Sequence, residues 1–387
     1  MKSKVLAIFK YPRAWNIDVI NRFSNYYDTE YLYISDYKNK NFTEIINETN
    51  NLIKSKSIDI IVFDVDYFKF INFFFIDKIH GRKKILVTGD DTDQHEMNSI
   101  TASACDLVLS HCPLSVLKYK EKGHEAHMIN VEISNLKKSK NQKDIDVLFF
   151  GGLTPDRKEF LDYIVNEGIS LKNVGHREHI VGLPQDELIK LISKSKIVLN
   201  LSKTKTTSVI NYASESIYRF YFQFKGRISL TGIIGTMCVS EYSPGQEIIF
   251  KKDELPTFFT KEECVQILKK LLKDDVLLEK YTNKFTSKVY ELWEDKKNFE
   301  PIYNAIEKSN HQKVKLIKFP YWYLRIAAKQ IILRNIKLST FIKTIFQFNI
   351  IFSIIRNSNF LIKLLVIFES VLNILWYSFT LTFRLKK

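Results

Sequence analysis

Short apolar runs rich in β-branched residues alternate with longer amphipathic stretches, and the alternation is played through twice along the 387 residues. In the first series, residues 5–9, 31–34, 58–63, 85–88, 107–110 and 127–131 read as strands. Helical patterns lie between them at 17–25, 42–56, 67–79 and 114–122. Strands this short and this continuously apolar are buried on both faces, which calls for a parallel sheet with helices on either side. A polar, lysine-rich stretch at 135–143 then interrupts the pattern as a linker does. In the second series the strands are 146–150, 171–174, 197–201, 237–240 and 247–250. Helices are expected at 156–166, 185–193, 209–222, 261–273, 276–293 and 299–308. The expected fold class is therefore α/β: two Rossmann-like doubly wound domains, 1–140 and 141–310, followed by a C-terminal helical tail, 311–387.

Charge separates the tail from the body. The formal net charge is +15, yet from residue 311 onward 13 Lys and Arg face a single acid, Glu369, so the tail alone carries +12. Its apolar stretches, 321–336, 341–355 and 360–383, contain Trp322, Trp376 and many Phe, Ile and Leu. Regularly spaced cations among inserted aromatic and aliphatic side chains fit helices lying in the interface of an anionic membrane. A single span by 360–383 is the alternative, interrupted by Lys363 and Glu369. Nucleic acid fits the charge but does not call for so much apolar surface. On this reading the tail is an anchor whose removal leaves a soluble, nucleotide-binding body. The apolar run 5–9 is too short for a signal-peptide core and reads as the first strand of a cytoplasmic protein. Cys105, Cys112, Cys238 and Cys264 form no C-x-x-C pair, so they read as small buried hydrophobes in a reducing compartment.

Two places carry the residue types that chemistry needs. Strand 146–150 runs into Gly151 and Gly152, then Pro155 and Arg157 at the start of a helix. Glycines at a strand's carboxyl end let backbone approach a ligand, and a cation near a helix N-terminus favours phosphate; a tight βα turn uses the same glycines. In the first domain Asp90, Asp91 and Asp93 follow strand 85–88, with His95 just beyond. A carboxylate beside another carboxylate is suited to taking a proton from a hydroxyl, which makes Asp91 the first choice for general base, with Asp90 and His95 next. An acidic loop capping the next helix is the alternative. His111 and the Lys10–Tyr11–Pro12–Arg13 loop also follow strands, and a structural histidine and a solvated loop explain them equally well.

The segments DVLFFGGLTPDRKEFLDYI, SKIVLNLSKT and FKGRISLTGIIGTMCVSEYSPGQEIIF together resemble the donor domain of the CgeB-like bacterial glycosyltransferases, which are similar to the group 1 (GT-B) enzymes. The likeness rests on Asp146 to Gly151, Arg157, Ser195 to Asn200, Lys225 with Arg227, Gly235 with Cys238, and Glu247 to Phe250. In the first domain, Asp90 with Asp91, Asp106 to Ser110 and Tyr119 to Gly123 match more loosely. The resemblance implies a glycosyltransferase that moves a sugar from a nucleotide-diphosphate sugar, a co-substrate with no further cofactor, to a surface-polysaccharide or lipid-linked acceptor at the cytoplasmic membrane face. It implies a donor site at Gly151, Gly152, Arg157, Asn200, Lys225 and Arg227, with Arg219 a weaker fourth cation. Basic side chains and a helix N-terminus then replace a metal ion. One departure stands out: the family's Phe-Glu after the helix arginine reads Ser229-Leu230, so Glu247 or Glu241 is left to meet the donor ribose. The alternative is a non-catalytic nucleotide- or sugar-binding partner in a membrane assembly. A dehydrogenase or epimerase is disfavoured because no G-x-G-x-x-G follows the first strand.

Overall fold

The computed structural model describes residues 2–37, 40–64, 70–89, 91, 94–130, 141–175, 183–203, 222–293, 298–309, 318–333, 351–352, 355–356 and 360–384. The first domain holds β1 (Lys4–Phe9), α1 (Ala14–Ser24), β2 (Asp28–Tyr33), α2 (Phe42–Lys56), β3 (Ile60–Asp64), α3 (Phe73–Lys78), β4 (Lys83–Thr88), α4 (His95–Ala102), β5 (Leu107–Ser110), α5 (Pro113–Glu121) and β6 (Ala126–Met128). Its six strands are parallel in the order β2-β1-β3-β4-β5-β6. The second domain holds β7 (Ile145–Phe149), α6 (Pro155–Asn166), β8 (Leu171–Asn173), α7 (Gln185–Lys194), β9 (Ser195–Asn200), α8 (Gly226–Ile234), β10 (Met237–Glu241), α9 (Gln246–Ile249), β11 (Thr257–Phe258), α10 (Lys261–Lys273) and α11 (Asp275–Trp293). Its five parallel strands run β11-β10-β9-β7-β8. Both sheets reverse their strand order beside the first strand, at β1/β3 and at β7/β9. Open parallel sheets bind ligands beyond the strand ends at that point.

The physical causes are ordinary. β3 is buried along its whole length, the state a continuous apolar run demands. α2 starts at a reciprocal capping box, in which Asn41 accepts from the Glu44 amide and the Glu44 carboxylate accepts from the Asn41 amide. All four cysteines are buried thiols, and burial pushes Cys238 up to about 12. Residues 246–249 depart from the strand expected at 247–250: Gly245, at φ +86°, turns the chain, and α9 forms a single helical turn. The fifth strand is instead β11. The helix expected at 209–222 and the linker core at 135–140 lie outside the described residues.

The end of the chain returns to the first domain. α12 (Glu300–Lys308), assigned from sequence to the second domain, packs on the first. Phe299 meets Phe23 and Tyr26 at ring-centroid distances of 5.2 and 4.8 Å, and Ile302 and Ile306 join the cluster of Val19, Ile60 and Val87. Lys83 Nζ donates to the carbonyls of Ile306 and Glu307. α13 (Tyr321–Leu333) and α14 (Phe360–Arg384) follow. Tyr323, Leu324, Ala327, Ala328, Ile351, Ile355 and Val366 are buried in the same hydrophobic cluster as Phe74, Ile76 and Ile100. The Tyr323 hydroxyl accepts from the Phe73 amide at 2.9 Å and lies 3.0 Å from Thr101 Oγ1. The segment expected to be a separable tail thus supplies core side chains to the first domain. Among the described residues no helix is long and apolar enough to cross a membrane.

Candidate active-site cleft

The switch point of the first domain faces the approach to α8 of the second across a cavity of about 240 Å³. From the first domain, β1 leads into Arg13 and Trp15, β3 ends at Asp64, and β5 leads into His111; all four line the cavity. Gln223, Phe224, Lys225 and Gly226, the approach to α8, line it from the second domain. Gln223 Nε2 donates to the Gly89 carbonyl at 3.1 Å, tying the two domains at this point. The His111 ring stands edge-on to Trp15 at 5.9 Å and 5.5 Å from Phe224. Asp64 is buried and accepts from Asn16 Nδ2 at 3.1 Å, which orients its carboxylate at the floor of the cleft. It is the one carboxylate among the described residues that lines the cavity.

In the second domain, β7 leads into Gly151 at φ +113°, and Thr154 caps α6 by accepting from the Arg157 amide. Arg157 does not reach outward as the sequence implies. Its Nη1 donates to Gly152 O at 2.6 Å, and its Nη2 donates to Leu201 O at 3.2 Å and Lys203 O at 2.6 Å. The guanidinium therefore staples the ends of β7 and β9 together across the switch point. Arg227 is different. It lies in the first turn of α8, over the rings of Phe149 and Phe150 at 5.4 and 5.2 Å. A Cβ at Gly151 would fall 2.2 Å from Arg227 Nη2, so only glycine admits the guanidinium here. Arg227 Nη1 is buried with no hydrogen-bond partner among the described residues. Burial first, and then the like charge of Arg157, lower its pKa from the ordinary arginine range. Among the described residues no side chain caps the α8 N-terminus; its N-cap, Lys225, and its first residue, Gly226, line the cleft. Two cations, uncapped helix amides and an unsatisfied buried donor together form a site whose complement is an anion.

Other candidates fall elsewhere. Asn200 is fully buried and donates to Ser202 Oγ at 3.1 Å and Ser240 Oγ at 2.8 Å, knitting β9 to β10. Glu241 accepts from the Lys203 amide at 2.8 Å; burial raises its pKa, while the Lys203 and Ser202 amides and Arg157 pull it back. Both residues shape the floor beneath residues 201–203. Glu247 is exposed on α9, accepts from Tyr242 OH at 3.3 Å and lines a different cavity, of about 440 Å³, so it does not reach the interdomain cleft. Leu230, where the family carries its acid, packs on the cluster of Ile192, Val198 and Ile234. An acid there would face the helical layer. Arg219, Asp90 and Asp93 lie outside the described residues.

Asp91 is brought next to the cleft but turned inward. It is fully buried, and its two oxygens accept from Thr88 Oγ1, Ser110 Oγ and Tyr119 OH at 2.8 Å each and from Asn98 Nδ2 at 2.9 Å. A general base needs a lone pair open to the substrate. Asp91 instead binds β4, β5, α4 and α5 into one unit, which corrects its expected role. His95 is buried with its ring 4.4 Å from that of Tyr119 and does not line the cavity either. Asp64 and Trp15 carry no signal in the sequence beyond lying near the ends of strands that the topology makes neighbours.

Residues 136–291 match a family model described as "Glycosyl transferase-like". The second domain is therefore similar to that family over less than half of the chain. The match runs from before β7 into α11 and so contains every second-domain residue described above. Solved structures extend the likeness to both domains. Sucrose-phosphate synthase from Thermosynechococcus elongatus superposes with a TM-score of 0.54 at 7% identity, over 80% of this chain and all of that one. Anabaena Alr3699/HepE in complex with UDP and glucose gives 0.51 at 12% identity, over 79% and 99%. A mutant of T4 phage BGT in complex with UDP-glucose gives 0.50 at 12%, again over 79% and 99%. At such identities the likeness establishes the fold alone: the two parallel-sheet domains have the two-domain GT-B arrangement. No curated protein matches the chain.

Proposed function

We propose that this chain is a glycosyltransferase of the CgeB-like kind, moving a sugar from a nucleotide-diphosphate sugar to a surface-polysaccharide or lipid-linked acceptor at the cytoplasmic face of the membrane. One observation carries the donor half of this reading: the buried Arg227 Nη1, without a hydrogen-bond partner among the described residues, in the first turn of α8, whose N-cap makes no side-chain hydrogen bond among them, and against Gly151 at φ +113°. A diphosphate placed there receives charge-assisted hydrogen bonds from Arg227 and Lys225 and the favourable end of the α8 dipole. The same groups stabilise the negative charge that develops as the bond from anomeric carbon to diphosphate oxygen breaks. The acceptor hydroxyl oxygen bonds to the anomeric carbon, its proton passes to Asp64, and the nucleoside diphosphate leaves with the electron pair. UDP is present in the Anabaena complex, and UDP-glucose in the T4 phage complex, which makes uridine donors the first to test.

Calorimetric titration with UDP and GDP tests the reading. Arg227→Ala is expected to weaken binding at least tenfold, about 1.4 kcal/mol, with the melting temperature retained. Equal affinity in wild type and variant overturns it. Because the diphosphate charge is met by side chains and helix amides, sugar transfer is expected to persist in excess EDTA; its loss, with recovery on adding a divalent ion, would show that a metal shares the task.

A further inference from the structure

α14 divides cleanly into two faces. At 100° per residue, Phe360, Leu361, Leu364, Leu365, Phe368, Val371 and Leu372 fall within one arc of roughly 140°. All seven are exposed, from 38% for Val371 to 75% for Phe360. The opposite arc turns to the protein: Val366 and Ser370 are buried, Ile362 and Ile367 pack on the first-domain cluster, and Glu369 pairs with Arg325 of α13 at 2.7 Å. The stripe is thus entirely apolar, and the only acid after residue 310 is directed away from it. Soluble monomers rarely leave a continuous apolar strip of this kind uncovered.

We infer that this stripe of α14 is the surface by which the protein docks on an anionic lipid bilayer. The inference deepens the functional reading above by naming the face that meets the membrane. Charge decides the occupant. Lys318, Lys329 and Arg356 are exposed around the two helices, within a segment of net charge +12. A second copy would bring an equal positive charge against this one, whereas anionic headgroups neutralise it while acyl chains take up Phe360, Leu364 and Phe368. The depth is that of a helix lying flat, since the buried arc of α14 remains on the protein.

The test uses the full-length protein with two kinds of vesicle, pure phosphatidylcholine and phosphatidylcholine with 30% phosphatidylglycerol, the latter fraction a choice of about one charged lipid in three. Sedimentation is expected with the anionic vesicles and at least tenfold less with the neutral ones. The double variant Leu364→Glu/Phe368→Glu, at two exposed positions, is expected to lose at least tenfold in vesicle binding, while Phe259→Glu on the second domain, equally exposed, leaves it unchanged. UDP affinity measured on the same samples separates this inference from the donor-site reading, because no donor-side residue lies on α14. Equal sedimentation of wild type and double variant overturns the inference. So does a wild-type dimer in solution that the double variant dissociates, which would make the stripe a self-interface, or binding that is indifferent to lipid charge.

Discussion

Gly151 and Arg227 are a single device made of two residues. The glycine holds φ at +113°, and the space where its side chain would begin is filled by the Arg227 guanidinium. Gly151→Ala is therefore expected to displace Arg227 and weaken UDP binding about as much as Arg227→Ala, at least tenfold, with a stability loss of about 1–2 kcal/mol from the strained backbone; isothermal titration and urea melts check both numbers. The base role expected of Asp91 from the sequence passes, in the proposed reading, to Asp64, to which the sequence assigns no role. Asp91→Asn removes a carboxylate that four side chains bond, and it is expected to cost about 2–3 kcal/mol in urea unfolding. Asp64→Asn, at the cleft, is expected to cut turnover by roughly 10²–10⁴ with UDP affinity kept. Turnover lost in both variants at unchanged stability would return Asp91 to the chemistry. His124, buried against the edge of the Tyr119 ring, adds a pH dependence. Burial first, and then Lys122, lower it to about 4 from the ordinary 6.5. The unfolded chain binds the proton more readily between those values. The stability that neutral His124 allows is complete above pH 6.5 and is lost as pH falls towards 4. Melting curves of His124→Gln should show a weaker fall over that window than wild type.

At the scale of elements, what was legible in the sequence is what burial writes into it. β1 and β3 are apolar almost throughout, and β5, β7, β9 and β10 each carry at least three consecutive apolar residues, because both faces are covered there, and a run of that kind needs no neighbour to be read. The Gly151 turn was equally visible, since turn glycines and their offsets from a strand are local facts, whereas Lys225 and Arg227 were singled out only by the family resemblance, no helix being expected over 226–234 from the pattern. Three things were not. Residues 247–250 have the composition of a strand, but Gly245 and the hydrogen bond from the Phe250 amide to Gln246 O close a helical turn, and the two residues of β11 are too few to form a pattern. α4 is buried on nearly every side, so it shows little of the periodicity by which helices are recognised. Asp64 becomes a cleft residue only because β3 pairs with β1, which places it opposite Arg13 and Trp15; strand order is a property of the sheet that no local window contains. The docking of α13 is also non-local, and Tyr323→Phe tests it. The substitution leaves the partly buried Phe73 amide without its acceptor and is expected to cost about 1–3 kcal/mol, read as a lower urea midpoint with an unchanged slope.

The whole molecule is a closed path. The chain builds the first domain, crosses to the second, and comes back through α12 to cover β1 and β4, and then through α13 and α14 to cover α3 and α4. Each return has consequences for the cleft. α4 supplies Asn98, and its N-cap Gln94, to the cleft wall, and Thr101 on the same helix meets the Tyr323 hydroxyl, so this wall of the cleft is clamped by the last segment of the chain. A membrane surface bound to the outer arc of α14 would therefore hold the first domain itself, with no loose anchor between lipid and cleft. This sets the outcome of truncation against the simple picture of a removable tail. Deleting residues 311–387 strips the covering from Phe73, Phe74 and Ile100 and removes Tyr323, Leu324, Ile351, Ile355 and Val366 from the core. At roughly 1.5–3 kcal/mol for each large apolar side chain buried, the loss is comparable with the whole stability of a typical domain, roughly 5–15 kcal/mol. The truncated protein is expected to aggregate or to lose cooperative unfolding of its first domain. The Leu364→Glu/Phe368→Glu protein, altered only on the exposed arc, should melt like wild type. Calorimetric scans of the two side by side decide the matter: a truncated protein that melts at the wild-type temperature would show that α13 and α14 are an appendage and not part of the first domain.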